Sequence, residues 1–136
     1  MNSVDVQCVR IEADAASVFA FLADPSNLPK WAVGFASQVE IDDDGSVIVT
    51  TGQGHRMPVV IVASEGSGVV DFVMTPAPGM SAVAWARVVT TSDGAMVTFA
   101  QAQSPGVPDE VFAGQVAAVT HELGVLKAVV EVSCPR

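Results

Sequence analysis

Apolar and polar residues alternate along much of this chain, and the places where the alternation changes period mark its elements. Val4 to Ile11 alternates with one irregularity, as Val4, Val6 and Cys8 give way to Val9 and Ile11, and predicts a strand. Residues 14–31, DAASVFAFLADPSNLPKW, then switch to helical spacing. Asp14 suits an N-cap, and Val18, Phe19, Phe21 and Leu22 follow as an apolar face. Asp24-Pro25 stops that helix and starts a second short one, with Pro25 in a first turn where its missing N–H costs nothing. Pro29 is expected to end it.

Strand-like alternation returns after Trp31. Gln38–Ile41, Val47–Thr51, Met57–Ser64, Val69–Thr75, Ala82–Thr91 and Ala95–Gln103 are separated by turn chemistry: Asp43-Asp44-Gly45, Glu65-Gly66-Ser67-Gly68, Pro76-Ala77-Pro78-Gly79 and Ser92-Asp93-Gly94. Strands joined by such short turns are antiparallel. With the first strand they make about seven. The last element is a helix of about six turns, with Pro108 at its first position and Asp109 and Glu110 at the positive end of its dipole. Its apolar stripe is Phe112, Val116, Val119, Leu123, Leu126 and Val130, and Pro135 follows it.

One helix with a single apolar stripe and about seven antiparallel strands predict an α+β fold, a curved sheet around the helix, as one domain over 1–136. The opening IEADAASVFAFLADPSNLPKW, with its acidic loop, Val-Phe on a helix, Asp-Pro and a Trp after Pro-Lys, resembles the N-terminal signature of the SRPBCC, or START-like, helix-grip superfamily. The resemblance extends over nearly the whole chain. It implies a seven-stranded antiparallel sheet wrapped around the long C-terminal helix, two short helices after the first strand, and a cavity between sheet and helix with Trp31 near its rim or floor. It permits a polyketide cyclase/dehydrase-like activity without requiring one.

Treating Asp93-Gly94 as a two-residue turn places Arg87 opposite Ala100 and separates two faces. Met57, Val59, Ile61, Val70, Phe72, Met74, Ala84, Ala86, Val88, Val97, Phe99 and Gln101 form the nearly apolar one, assigned to the concave side. Val60, Val62, Asp71, Trp85, Arg87 and Thr98 lie on the other. An outer face that rich in valine, with Trp85 on it, predicts a homodimer through that face, with Asp71 and Arg87 as a cross-strand pair. The reverse assignment stays open at this point. It would place Asp71, Trp85 and Arg87 inside and favour an anionic or carbonyl-bearing ligand.

Composition narrows the partners. Of 136 residues half are apolar and 15% charged, so the chain folds. Fifteen acids against six bases give a net charge of −9, which excludes a phosphate-binding surface for nucleic acid. No apolar run is long enough to span a membrane, and MNSVDVQCVR does not read as a signal peptide, so the expected location is cytoplasmic, with Cys8 and Cys134 as free thiols. His55 and His121 are far apart and no Cys-x-x-Cys occurs, so no metal or cofactor is expected. Asp42-Asp43-Asp44-Gly45 lacks the later ligands of a calcium loop and reads as a hairpin turn.

The chemistry is sparse, which suits a small-molecule site that is mostly apolar with a few orienting groups. The expected ligand-binding residues are Trp31, His55, Met57, Phe72, Met74, Phe99, Gln101, Phe112 and Gln115. His55, between glycines and a strand, and Arg87 are the candidate catalytic groups. His121 falls roughly 180° from the helix stripe and is expected in solvent, while Glu122 and Gln115 flank the stripe at roughly 60–80°, within reach of a pocket edge. The expected function is binding of a small hydrophobic or amphipathic molecule between the sheet and the C-terminal helix. A polyketide cyclase/dehydrase-like enzyme and a protein-binding domain with a vestigial cavity are the alternatives.

Overall fold

A computed structural model of the protein describes residues 2–134, so Pro135 lies outside the described residues. The chain forms β1 (Val4–Ile11), α1 (Ala15–Ala23), a 3-10 turn (Pro25–Asn27), α2 (Leu28–Trp31), β2 (Gln38–Ile41), β3 (Val47–Thr50), β4 (Arg56–Ser64), β5 (Val69–Met74), β6 (Ala82–Thr91), β7 (Gly94–Ala102) and α3 (Asp109–Ser133). The seven strands make one antiparallel sheet in the order β1-β7-β6-β5-β4-β3-β2. Only β1 leaves sequence order, reaching the edge beside β7. This is the helix-grip architecture, with the long C-terminal helix against one side of the sheet.

Local chemistry explains the ends of the elements. The Asp14 carboxylate accepts the Ser17 N–H at 2.8 Å and caps α1, and Asp24 accepts the Ser26 N–H at 3.0 Å and starts the 3-10 turn. Pro29 does not end this segment. It occupies the first turn of α2, where a proline sacrifices no hydrogen bond, and the helix runs on to Trp31. Pro108 is likewise the N-cap of α3 rather than its first residue.

The β6–β7 register differs from the expected one. Arg87 faces Thr98, and Thr91 faces Gly94, so the turn is Ser92-Asp93. Gly94 is needed in the strand itself: a Cβ there would lie 2.4 Å from the Ile11 carbonyl oxygen of β1. The difference is two residues in register, and a shift of two leaves every side chain on its own face.

The core lies between the sheet's inner face and the helices. Val49, Met57, Val59, Val70, Phe72, Ala84, Ala86, Val97 and Phe99 pack with Val119, Leu123, Leu126 and Val130 of α3 and with Val18, Leu22, Leu28 and Trp31. The apolar inner face is therefore the helix side, and the reverse assignment is excluded: Trp85 and Arg87 are exposed on the outer side. Lys127 fastens α3 to the sheet end, donating to the Arg10 carbonyl at 3.0 Å and to Glu131, which also accepts the Glu12 N–H at 2.8 Å. No helix among the described residues is long and apolar enough to cross a membrane.

Candidate functional site

The inner side of the sheet holds an aromatic cluster built from three distant segments. Trp31 is the last residue of α2, Phe72 sits in the middle of β5 and Phe99 in β7. Their ring centroids are 6.1 Å (Trp31–Phe72), 6.3 Å (Trp31–Phe99) and 6.3 Å (Phe72–Phe99), in tilted and edge-on arrangements. Beside Phe72 and Phe99 stand Ala84 and Ala86 of β6, small residues in register with them. Met57 is buried and Met74 half-buried on the same face.

Within this apolar layer one polar atom is unsatisfied. Trp31 is only 3% exposed, and its indole N–H is buried without a hydrogen-bond acceptor. A buried donor left unpaired costs about 1–3 kcal/mol. Most buried polar groups in folded proteins find a partner, so this N–H is the feature of the core that packing alone does not account for.

The second polar feature is Glu122 of α3, 5% exposed. Its Oε2 accepts the Gly34 N–H at 3.1 Å, in the loop that follows α2. Gly34 lets that loop lie close to α3, since a Cβ there would sit 3.3 Å from Ala118 Cβ. Burial pushes the Glu122 carboxyl up to about 7, against the smaller opposing effect of the Gly34 and Phe35 backbone N–H groups. This group therefore changes protonation near neutrality while tying α3 to the α2–β2 loop that carries on from Trp31.

The expected ligand residues separate into those on this inner layer and those elsewhere. Trp31, Met57, Phe72 and Phe99 are buried together. Met74 packs against that core, and Phe112 is buried in the first turns of α3, outside the main cluster. Gln101 is half-buried, and its amide donates to Asp5 at 3.4 Å, next to a network in which Gln7 donates to the Val116 carbonyl at 3.1 Å and accepts from Thr120 at 2.8 Å. Gln115 is exposed. His55 is exposed in the β3–β4 loop, with Nε2 2.8 Å from the Pro76 carbonyl oxygen, which makes that ring nitrogen the donor. Arg87 lies on the outer side of the sheet, 3.6 Å from Asp71, away from the aromatic cluster.

Among the described residues three polar side chains are buried, Asn27, Gln103 and Glu122, and Asn27 is satisfied by donating to the Phe21 carbonyl at 3.1 Å. Glu122 flanks the helix stripe as the periodicity predicts, but its carboxylate meets the Gly34 N–H of the α2–β2 loop, which covers that flank and which helical periodicity does not register. Gln103 is buried with every requirement met: it accepts the Ser3 N–H at 3.0 Å and donates to the Val107 carbonyl at 2.8 Å and to Asp109 at 2.9 Å. It holds the β7–α3 connection and is structural.

Comparison with known proteins agrees with this fold. Residues 1–131 match the sequence profile of a family described as polyketide cyclase/dehydrase and lipid transport. Among solved structures, XoxI from Bacillus cereus superposes with a TM-score of 0.76 at 12% identity, over 94% of this chain and 95% of that one. Ara h 8.0201 superposes with a TM-score of 0.69 at 14% identity, over 96% and 98%. The di-domain ARO/CYC protein StfQ, from the steffimycin biosynthetic pathway, does so at 0.73 and 11% identity, over 98% of this chain and 52% of its own. At these identities the likeness is one of fold. No curated relative matches the chain.

Proposed function

Because the chain belongs to the polyketide cyclase/dehydrase and lipid transport family, we propose that it binds a small hydrophobic or amphipathic molecule between the inner face of its sheet and α3. The observation that carries this reading is the buried, unpartnered indole N–H of Trp31 at the edge of an aromatic cluster. An acceptor oxygen on a bound molecule would satisfy it, and the rings of Phe72 and Phe99 would supply apolar contact. Trp31, Phe72, Phe99, Met57 and Met74 are the proposed contact residues, with Phe112, Gln101, Gln115 and His55 at the margins.

The charged groups favour an uncharged ligand. Arg10, Arg56 and Lys127 are paired with Asp93, Glu40 and Glu131, Arg87 lies on the outer side of the sheet 3.6 Å from Asp71, and Lys30 is exposed. The buried ionisable group on the helix side is an acid, Glu122. A carboxylate ligand would thus meet no counter-ion there among the described residues.

The test uses a Trp85→Phe variant, which leaves Trp31 as the single tryptophan. Titration with 2-acetylnaphthalene is expected to change Trp31 emission saturably, and native mass spectrometry of freshly purified protein to reveal a small molecule released on denaturation. A protein of bare-chain mass whose Trp31 emission is indifferent to the probe would overturn the proposal.

A second reading, a cyclase or dehydrase, is favoured by Glu122, whose protonation midpoint near neutrality suits general acid–base work. Under it, Glu122→Gln would abolish turnover while leaving probe binding intact. For the outer face of the sheet we propose a second copy of the chain as partner, independently of what the inner face holds.

A further inference from the structure

The outer face presents a row of residues directly side by side across five strands: Val6, Ala100, Trp85, Asp71 and Val62. Val6 is 69% exposed, Val62 53% and Trp85 40%, and Val4 and Val60 in the neighbouring row are also exposed. Five strands span roughly 20 Å. Monomeric proteins seldom leave an apolar surface of that breadth in water.

Two charges interrupt it, and both adjoin Trp85. Asp71 is its direct neighbour on β5, and Arg87 lies two residues along β6. Within the chain they are poorly matched. Their closest approach, 3.6 Å, is too long for a hydrogen bond, and the Asp71 Oδ1 concerned is buried with no hydrogen-bond donor. Arg87 Nη1 donates instead to the carbonyl of its own neighbour Ala86, at 3.3 Å, and the side chain stays half exposed. The face thus carries a carboxylate still one-quarter exposed and, beside it, a half-exposed guanidinium, and the two approach each other only to 3.6 Å.

Such a surface is complementary to itself. A two-fold axis lying in the plane of a face-to-face contact exchanges any two points placed symmetrically about it. Asp71 is about 5 Å from Trp85 across the strands, and Arg87 about 7 Å along them. An axis that bisects the Asp71–Arg87 line therefore passes within about 2 Å of Trp85. One operation meets both demands of the face: each acid comes to lie over the other copy's base, and the two indoles come together.

We propose that the protein self-associates through this face about that axis, stacking Trp85 on the partner's Trp85 and pairing each Asp71 with the partner's Arg87. This rests on the self-association proposed above and specifies its geometry.

Sedimentation equilibrium on the full chain tests it. The wild type is expected to be dimeric, and Trp85→Glu and Val62→Lys monomeric with unchanged circular dichroism; both sites are exposed, so both variants should fold. Asp71→Arg and Arg87→Asp are each expected to weaken the dimer at least tenfold, because each sets like charges face to face. Mixed in equal amounts, those two charge-reversed variants should recover a heterodimer. A wild type that stays monomeric at its highest soluble concentration overturns both the self-association and its geometry. A dimer that persists through Trp85→Glu and Val62→Lys overturns the choice of face. A dimer lost in those two variants but indifferent to charge reversal, or charge-reversed monomers that fail to combine, overturns the axis alone.

Discussion

The two faces of the sheet are written by the same strands, one residue out of phase, yet they meet opposite fates. On β5, Val70 and Phe72 point inward and are buried, while Val69, Asp71 and Val73, alternating with them, point outward. On β6, Ala84 and Ala86 alternate with Trp85 and Arg87. Both faces are largely apolar, so hydrophobicity does not distinguish them. What does is size and charge. The inner face combines large aromatics with alanines, which leaves room for α3 to approach. The outer face sets its largest residue, Trp85, beside an ion pair that no helix covers. Burial follows the surface another element can pack against.

The largest effect that would break this comparison comes from truncating one residue on each face. Phe72→Ala removes a ring that touches both Trp31 and Phe99, and should destabilise the protein by about 3–5 kcal/mol. Val62→Ala, on an exposed outer position, should change stability by no more than about 0.5 kcal/mol. Urea unfolding at a concentration that keeps the protein monomeric measures both. Comparable losses would mean that the outer face is covered within the chain.

Much of the contrast is legible in the sequence, because alternation in Val69–Thr75 and Ala82–Thr91 reports the faces without needing the register. That is why a β6–β7 pairing misjudged by two residues, with Arg87 set against Ala100 instead of Thr98, did no damage to the facial assignment. The error came from reading Gly94 as a turn residue, when its role is to let β7 pass close to the end of β1, a contact between segments over eighty residues apart. Pro29 departs from expectation for a related reason: a proline stops a helix or opens one, and the local string does not say which. The polar features of the site were less legible still. His55 and Arg87 stood out as reactive residue types, but the structure leaves the first exposed and the second outside. Glu122 became significant only when the α2–β2 loop covered it. Periodicity describes one element at a time, and burial of a polar group depends on two.

Glu122 sharpens the comparison through pH. Its carboxyl is raised from an ordinary 4.5 to about 7 in the folded protein, so between those values the folded state holds a proton that the unfolded chain has released. The corresponding stability is fully present below pH 4.5 and is lost as pH rises through 7. A shift of that size is worth about 3 kcal/mol. Comparing urea unfolding at pH 5 and pH 8, the wild type should lose a large part of that amount relative to Glu122→Gln, which keeps an acceptor for the Gly34 N–H and does not ionise. Parallel pH profiles for the two proteins would show that Glu122 is solvated in solution. On the outer face the same substitution should leave self-association unchanged.

The smallest expected effect discriminates most finely between a packed core and a binding site. Replacing a well-packed, buried tryptophan ordinarily costs several kcal/mol when the side chain is removed. Trp31→Phe keeps an aromatic ring against Phe72 and Phe99 but deletes the N–H. The lost ring area is unfavourable, and removal of an unpaired buried donor is favourable by about 1–3 kcal/mol. The two terms oppose each other, so the unliganded protein should change by no more than about 1 kcal/mol in urea unfolding. Affinity for 2-acetylnaphthalene should fall about tenfold, equivalent to roughly 1.4 kcal/mol, because the phenyl ring has no donor to offer the ketone. The matched hydrocarbon 2-ethylnaphthalene should bind both proteins alike. A loss of 3 kcal/mol or more in the unliganded variant would mean that the indole N–H already has a partner in solution, and Trp31 would then belong to the core alone.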